Sequence, residues 1–120
     1  MKTMLIVDDE AKICAFLASF FTSRGFRTVT AQSGSEAMEK LDRDLPDYML
    51  LDIRMPDLSG LDVLKLAKGR YPQIKIVMVS AVDDEHVAET AFQLGAADYI
   101  TKPFGLDDQA WARAFFAQDD

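Results

Sequence analysis

Acidic side chains follow two short apolar runs in this sequence. Residues 4–7 (MLIV) lead into the triplet Asp8-Asp9-Glu10, and residues 48–51 (YMLL) lead into Asp52. Carboxylates held close together repel one another and raise each other's pKa unless a cation relieves them. Mg²⁺ suits such a group, because it takes oxygen ligands from one or two carboxylates and from the phosphate oxygens of a substrate. These residues predict a site for Mg²⁺ and a phosphoryl group.

Two further polar residues stand at the ends of later apolar runs. Ser80 follows residues 74–79, and Lys102 follows residues 99–101. An ammonium and a hydroxyl can bind phosphoryl oxygens, because phosphoryl transfer needs mainly positioning and neutralisation of spreading charge. A carboxylate is then the expected nucleophile. Each residue alone is more often a solvated or turn-forming side chain, so the prediction depends on the whole set.

An alternation of strands and helices would bring these residues together. Continuous apolar runs are typical of strands buried on both faces, whereas Ile13, Phe16, Leu17 and Phe20 have the spacing of one buried helix face. Five strands, each followed by a helix, predict an α/β fold with a mainly parallel sheet, right-handed crossovers and ligand sites at the strands' carboxyl ends. The predicted strands are Met4–Val7, Phe26–Ala31, Tyr48–Leu51, Ile74–Val79 and Tyr99–Thr101, and the predicted helices are one ending near Arg24, then Ser35–Asp42, Leu61–Arg70, Asp84–Leu94 and Leu106–Phe116.

Composition narrows the class of protein. The 120 residues suit one domain, residues 1–120, and the net charge of −7 opposes direct binding to nucleic acid or to an anionic membrane surface. No apolar run approaches the roughly 20 residues that span a bilayer, so a cytoplasmic location is expected. The single cysteine, Cys14, lies among apolar residues and is expected to be a buried thiol.

Four segments resemble the signatures of the receiver domains of two-component response regulators. In family order they are residues 5–10 (LIVDDE), 51–60 (LDIRMPDLSG), 79–81 (VSA) and 101–104 (TKPF). The resemblance covers residues 4 to about 105, and its specificity comes from the set. It implies a flavodoxin-like (βα)5 fold, a doubly wound parallel sheet of five strands in the order 2-1-3-4-5.

The resemblance implies a role for each acidic residue. Asp52 would accept a phosphoryl group from the phosphohistidine of a histidine kinase or phosphotransfer protein. Asp8, Asp9, Asp52 and the backbone carbonyl of Arg54 would bind Mg²⁺, although the acidic pair could also cap the first helix. Lys102 would neutralise the phosphoryl oxygens and would pair with Asp52 before phosphorylation.

The resemblance also implies a signalling switch rather than an enzyme, one that catalyses only its own phosphorylation and dephosphorylation. Ser80 would bind the phosphoryl group, Ala81 would leave room for the donor, and Tyr99 would move as the fourth helix repacks. The surface of the fourth helix, fifth strand and fifth helix would then engage a downstream protein, a fused output domain or a second copy of the chain. An alternative interpretation, nearly as good as the switch role, is that Tyr99 is an ordinary half-buried aromatic residue of the sheet.

Two other classes of function compete with this hypothesis. A receiver-like binding module that works without phosphorylation would be favoured by loss of Asp52, Lys102 or the acidic pair, and all are present. A Mg²⁺-dependent phosphatase or nucleotide-binding enzyme is disfavoured, because the sequence has no GxxxxGK[ST], GxGxxG or DxD motif at the required place. On the last predicted helix, Trp111 and Phe115 could complete the core or form a partner surface.

Overall fold

The computed structural model describes residues 1–102, and there it contains the predicted alternation of strands and helices. The predicted helix Leu106–Phe116, with Trp111 and Phe115, lies outside the described residues. The elements are β1 (Thr3–Val7), α1 (Ala11–Thr22), β2 (Arg27–Ala31), α2 (Gly34–Asp44), β3 (Tyr48–Leu51), α3 (Gly60–Arg70), β4 (Lys75–Ser80), α4 (Glu85–Gln93) and β5 (Asp98–Thr101).

The strands form one parallel sheet in the order β2-β1-β3-β4-β5, which confirms the order implied by the resemblance. Registers such as Val7 with Leu51 and Ser80 with Thr101 align the carboxyl ends of neighbouring strands. Strand β2 forms one edge of the sheet and is only partly buried, in agreement with its more polar sequence. The residues that follow the strands therefore meet at one edge of the sheet.

Alternate residues of the strands feed two apolar cores, one on each face of the sheet. In β1, Leu5 and Val7 pack with residues of α2 and α3, whereas Met4 and Ile6 pack with residues of α1. Both cores are closely shielded from solvent; Leu5 and Ile6, for example, are 1% and 0% exposed. This double burial explains why the strands read as continuous apolar runs.

The buried face of α1 overlaps the predicted one only in part. Leu17 and Phe20 are buried as predicted and Ile13 is partly buried, but Phe16 is 50% exposed, and Cys14 and Phe21 are buried instead. The buried stripe is therefore turned away from Phe16 around the helix axis. The apolar residues of α1 are dense enough that both stripes fit the sequence pattern. The prediction that Cys14 is buried is confirmed.

The N-termini of α2, α3 and α4 are capped by local side chains, whereas α1 begins after Glu10 without a side-chain cap, so the acidic pair Asp8-Asp9 does not cap it. Ser33 accepts a hydrogen bond from the Glu36 amide at the start of α2, and Asp84 accepts hydrogen bonds from the His86 and Val87 amides at the start of α4. Such caps satisfy amides that have no partner within the helix. Within residues 1–102, the helices are all too short or too polar to cross a membrane.

Candidate functional site

The strand ends place Asp8, Asp52, Ser80 and Lys102 around one cleft. The Asp52 amide donates to the Val7 carbonyl at 3.0 Å, which sets Asp52 beside the end of β1, and the Lys102 amide donates to the Ser80 carbonyl at 2.8 Å. Asp8, Asp52 and Ser80 are 2%, 5% and 1% exposed, and they are the buried polar residues in the described part of the chain. Parallel pairing thus gathers two carboxyls, a hydroxyl and an ammonium.

Lys102 connects the acidic residues of this site. Its Nζ lies 2.7 Å from Asp8 Oδ2, 3.6 Å from Asp52 Oδ2 and 3.6 Å from Glu10 Oε1. The expected pairing with Asp52 is therefore present, but the shorter contact is with Asp8. Three carboxylates face one ammonium, so this group of side chains keeps a net negative charge.

The surroundings of Asp52 favour its neutral form. Burial raises the pKa of the Asp52 carboxyl above its ordinary value, and the charge of Asp8 raises it further, while Lys102 and the Ile53 amide oppose the shift. That amide donates to Asp52 Oδ1 at 2.8 Å. A second cation near Asp52 would therefore relieve an unfavourable charge.

Lys102 remains an ammonium in this setting. Burial alone would lower the pKa of Lys102, but the hydrogen bond to Asp8 and the charges of Asp52, Asp8 and Glu10 raise it above its ordinary value. A positive side chain within the cleft can neutralise oxygens of an incoming phosphoryl group.

The acidic triplet after β1 is suited to a hard divalent cation. Carboxylate oxygens of Asp8, Asp9 and Glu10 lie within 4.8 Å of one another. Oxygen ligands with a net negative charge are the donors that Mg²⁺ prefers. The residues present therefore fit this ion. Glu10 was absent from the ligands expected from the sequence, although its place beside Asp8 and Asp9 is itself a signal for it.

The cleft beside Asp52, Ser80 and Lys102 has a volume of about 210 Å³. It is open to solvent through Asp9 and Arg54, which are exposed, while Asp52 and Ser80 form its buried floor. Ala81 also borders the cleft, in agreement with the expectation of a small residue there. The lining residues are Asp9, Glu10, Asp52, Arg54, Ser80, Ala81 and Lys102.

Gly60 fixes the loop that follows Asp52. Its amide donates to the Ile53 carbonyl at 2.7 Å. A Cβ at Gly60 would collide with the Asp52 carbonyl oxygen. Only glycine allows the start of α3 to approach the Asp52 backbone so closely, and this contact helps to hold Asp52 in place.

Ser80 and Tyr99 extend the site toward α4. The Val82 amide donates to Ser80 Oγ at 3.2 Å, and the Tyr99 hydroxyl donates to the Val82 carbonyl at 2.5 Å. Burial, the largest influence, raises the pKa of the Tyr99 hydroxyl, while a hydrogen bond with Ser80 opposes that shift. The segment between β4 and α4 is therefore hydrogen-bonded to both predicted switch residues. His86 is exposed on α4.

The structure places all the predicted site residues at this edge of the sheet. Asp8, Asp52, Ser80 and Lys102 form its centre, with Asp9 and Arg54 at the rim and Tyr99 behind Ser80. A further residue of the loop after β3, Asp57, makes contacts with α2 that sequence spacing did not reveal.

Comparison with known proteins points to one family. Residues 4–110 match the family described as the response regulator receiver domain. The chain is 40% identical over 103 residues to the DNA-binding transcriptional regulator NtrC of Klebsiella pneumoniae. The aligned region covers 86% of this chain and 22% of that protein. The chain thus spans about a fifth of the length of this relative.

Solved structures share the fold over most of the chain. A response regulator receiver domain protein (CheY-like) from Methanospirillum hungatei has a TM-score of 0.85 and 28% identity, with 88% of this chain and 84% of that chain covered. A chain of the CheX-CheY-BeF3-Mg²⁺ complex from Borrelia burgdorferi has a TM-score of 0.83 and 32% identity, with 87% of this chain and 80% of that chain covered.

Proposed function

The chain belongs to the family of response regulator receiver domains, and we propose that Asp52 is the residue that accepts a phosphoryl group. The observation that carries this proposal is the position of Asp52: a buried carboxyl at a strand end, 3.6 Å from Lys102 and beside an acidic triplet. Burial and repulsion make the free carboxylate unfavourable, so binding partners that bring positive charge are expected to stabilise it.

The donor in this proposal is the phosphohistidine of a histidine kinase or phosphotransfer protein. An oxygen of the Asp52 carboxylate attacks phosphorus, the new O–P bond forms, and the N–P bond to the histidine breaks. The bonding electron pair stays on the imidazole nitrogen, which takes a proton from solvent. The product is an aspartyl phosphate, which water later hydrolyses.

The described side chains would support this step by charge and position. The Lys102 ammonium would neutralise oxygens of the transferred group, and the Ser80 hydroxyl would donate a hydrogen bond to one of them. Asp8, Asp9, Asp52 and the backbone carbonyl of Arg54 would hold Mg²⁺, with Glu10 close by. The bound ion would neutralise charge that builds up on the phosphoryl oxygens. The Borrelia burgdorferi complex, whose name includes Mg²⁺, supports this part of the proposal.

The output in this proposal is a change of surface rather than a catalysed conversion. When Ser80 turns to the phosphoryl group, its interaction with Tyr99 changes, and the Val82 carbonyl that Tyr99 binds lies in the segment leading to α4. We expect the altered surface to include α4 and β5, together with the fifth helix predicted from the sequence, and to bind a downstream protein, a fused output domain or a second copy of the chain. The absence of direct nucleic-acid contact by this domain fits its net charge of −7, and a cytoplasmic location is part of the same proposal.

Small-molecule phosphorylation tests the proposal directly. The native chain, Asp52→Asn and the control Asp62→Asn are treated with acetyl phosphate, with Mg²⁺ or with a chelator, and weighed as intact proteins. Asp62 is an exposed acid in the first turn of α3, away from the cleft. We expect one added phosphoryl group in the native chain and in Asp62→Asn, only with Mg²⁺, and none in Asp52→Asn. A folded native chain that gains nothing would favour a binding module that works without phosphorylation.

A further inference from the structure

Asp57 ties the loop after β3 to the start of α2. Its Oδ1 accepts a hydrogen bond from the Gly34 amide at 2.8 Å, and its Oδ2 accepts one from the Ser35 amide at 2.9 Å. Oδ1 also accepts the Leu58 amide at 2.8 Å. We call the Asp57 carboxylate with the Gly34 and Ser35 amides the Asp57 clamp. The clamp joins Asp57 to two residues that lie 23 and 22 positions earlier in the chain.

The two segments also touch where Leu58 packs against Gly34. A Cβ placed on Gly34 would lie 2.5 Å from Leu58 Cβ. Glycine at position 34 is therefore required for the loop to lie this close to α2. The contacts with Ser35 and Gly34 also hold the pKa of the Asp57 carboxyl well below its usual range. A carboxylate at a helix N-terminus is stabilised by the helix dipole as well.

Helix α2 also has a cap within its own sequence. Ser33 Oγ accepts the Glu36 amide at 3.1 Å, while Glu36 Oε1 accepts the Gln32 amide at 2.8 Å. Asp57 comes from a different loop and accepts the Gly34 and Ser35 amides, which belong to the same first turn. Unlike the Ser33 cap, Asp57 therefore also fixes the loop after β3 against α2.

The same start of α2 also contacts the loop after β1. The Asp8 amide donates to the Ala31 carbonyl at 3.0 Å, and the Gln32 side-chain amide donates to the Asp9 carbonyl at 3.4 Å. The segment from Ala31 to Ser35 therefore lies against both loops that carry the proposed Mg²⁺ ligands. It can set the spacing between the acidic pair and Arg54.

We propose that Asp57 is a positioning residue for the divalent cation: by clamping the loop after β3 to α2, it sets the place of the Arg54 carbonyl relative to Asp8 and Asp9. This inference rests on the proposed function. The loop is already held at its two ends, by Asp52 on β3 and by Gly60 on α3. The clamp holds the part between them, three residues after Arg54, without touching the ion.

Manganese binding tests the role of Asp57 without any phosphorylation. Free Mn²⁺ is measured by electron paramagnetic resonance as the chain is added, for the native protein, Asp57→Ala, Asp57→Asn and Asp84→Ala. Asp84 is a matched control, because it is also an exposed aspartate that accepts two amides at a helix start, but on α4. Unfolding by urea is measured for each variant.

We expect Asp57→Ala to weaken Mn²⁺ binding about tenfold, the scale seen when groups that orient metal ligands are removed. Asp57→Asn keeps an oxygen for Gly34 and Leu58 and should bind with intermediate affinity. Asp84→Ala should lose similar stability and keep the native affinity. Because Asp57→Asn keeps two hydrogen bonds, it remains informative if Asp57→Ala does not fold.

Three results would overturn the inference in distinguishable ways. If the native chain binds Mn²⁺ and both Asp57 variants bind it equally well, the clamp does not position the ligands, and the proposed function stands. If the folded native chain binds no Mn²⁺, the proposed metal site fails and the inference fails with it. An equal loss of affinity in Asp84→Ala would assign the effect to general destabilisation.

Discussion

Replacing Asp52 with asparagine removes one negative charge from the buried site while keeping the shape of the side chain. The asparagine oxygen can still accept the Ile53 amide, which lies 2.8 Å from Asp52 Oδ1. The substitution abolishes the proposed phosphoryl acceptor. We nevertheless expect it to increase the stability of the fold in the absence of Mg²⁺.

The contacts of Asp52 give the size of this effect. Lys102 Nζ lies 3.6 Å from Asp52 Oδ2 and 2.7 Å from Asp8 Oδ2, so the sum of these distances, about 6.3 Å, is the largest separation of the two carboxylate oxygens. With an effective dielectric constant of about 20, the attraction to Lys102 is about 4.6 kcal/mol and the repulsion from Asp8 at least about 2.6 kcal/mol. Removing the carboxylate from water costs several kcal/mol more.

The unfavourable contributions outweigh the attraction, as the raised pKa of Asp52 also indicates. From this balance we expect Asp52→Asn to raise the free energy of unfolding by about 1–2 kcal/mol in a chelator at neutral pH. Urea unfolding followed by far-ultraviolet circular dichroism measures this difference. In Mg²⁺ the gain should shrink, because the ion relieves the repulsion in the native chain.

An exposed charge provides the control for this experiment. Glu39 is exposed on α2, and Glu39→Gln should change stability by less than about 0.5 kcal/mol with or without Mg²⁺. The electrostatic reasoning is refuted if Asp52→Asn is less stable than the native chain in the chelator. It is also refuted if the gain in stability does not respond to Mg²⁺.

Three further predictions follow from individual contacts. Gly60→Ala should lower the free energy of unfolding by about 2–3 kcal/mol in urea titrations, because its Cβ would meet the Asp52 carbonyl; an unchanged midpoint would contradict this. Lys102→Met should lower the free energy of unfolding by about 3 kcal/mol, because it leaves Asp8 and Asp52 buried without their ammonium. A decrease much smaller than that of Gly60→Ala in the same urea titrations would argue against this reasoning. The pKa of the Asp57 carboxyl is lower in the folded than in the unfolded chain, so its contribution to stability is present above about pH 4 and is lost as the pH falls below that. Thermal melts of Asp57→Asn should therefore show a weaker loss of stability on acidification than melts of the native chain. A plot of melting temperature against pH that runs parallel to the native plot would contradict this.

The order of elements was readable from the sequence largely because the central strands β1, β3 and β4 are buried on both faces. Such strands leave continuous apolar runs, and the polar residues that follow them mark the strand ends. The order of strands in the sheet came from the resemblance to a family, and pairing confirms it. The face of α1 was predicted correctly for Leu17 and Phe20 but wrongly for Phe16, because Phe16 and Phe21 are equally apolar and only packing decides between them.

Side-chain contacts between distant loops were the part that sequence patterns did not show. Spacing predicts a cap such as Ser33, which acts three residues away, but Asp57 reaches helix residues 22 and 23 positions earlier in the chain. The closer contact of Lys102 with Asp8 than with Asp52 likewise depends on the path of the backbone. These features follow from loop geometry, which periodicity does not encode.

Locating the phosphoryl group on the chain tests the central claim most directly. The native protein is phosphorylated with acetyl phosphate and Mg²⁺, reduced with borohydride to convert an aspartyl phosphate to homoserine, and mapped by peptide mass spectrometry. The account predicts homoserine at position 52 and at no other aspartate. Homoserine elsewhere, or none in a folded and Mg²⁺-loaded chain, would contradict it.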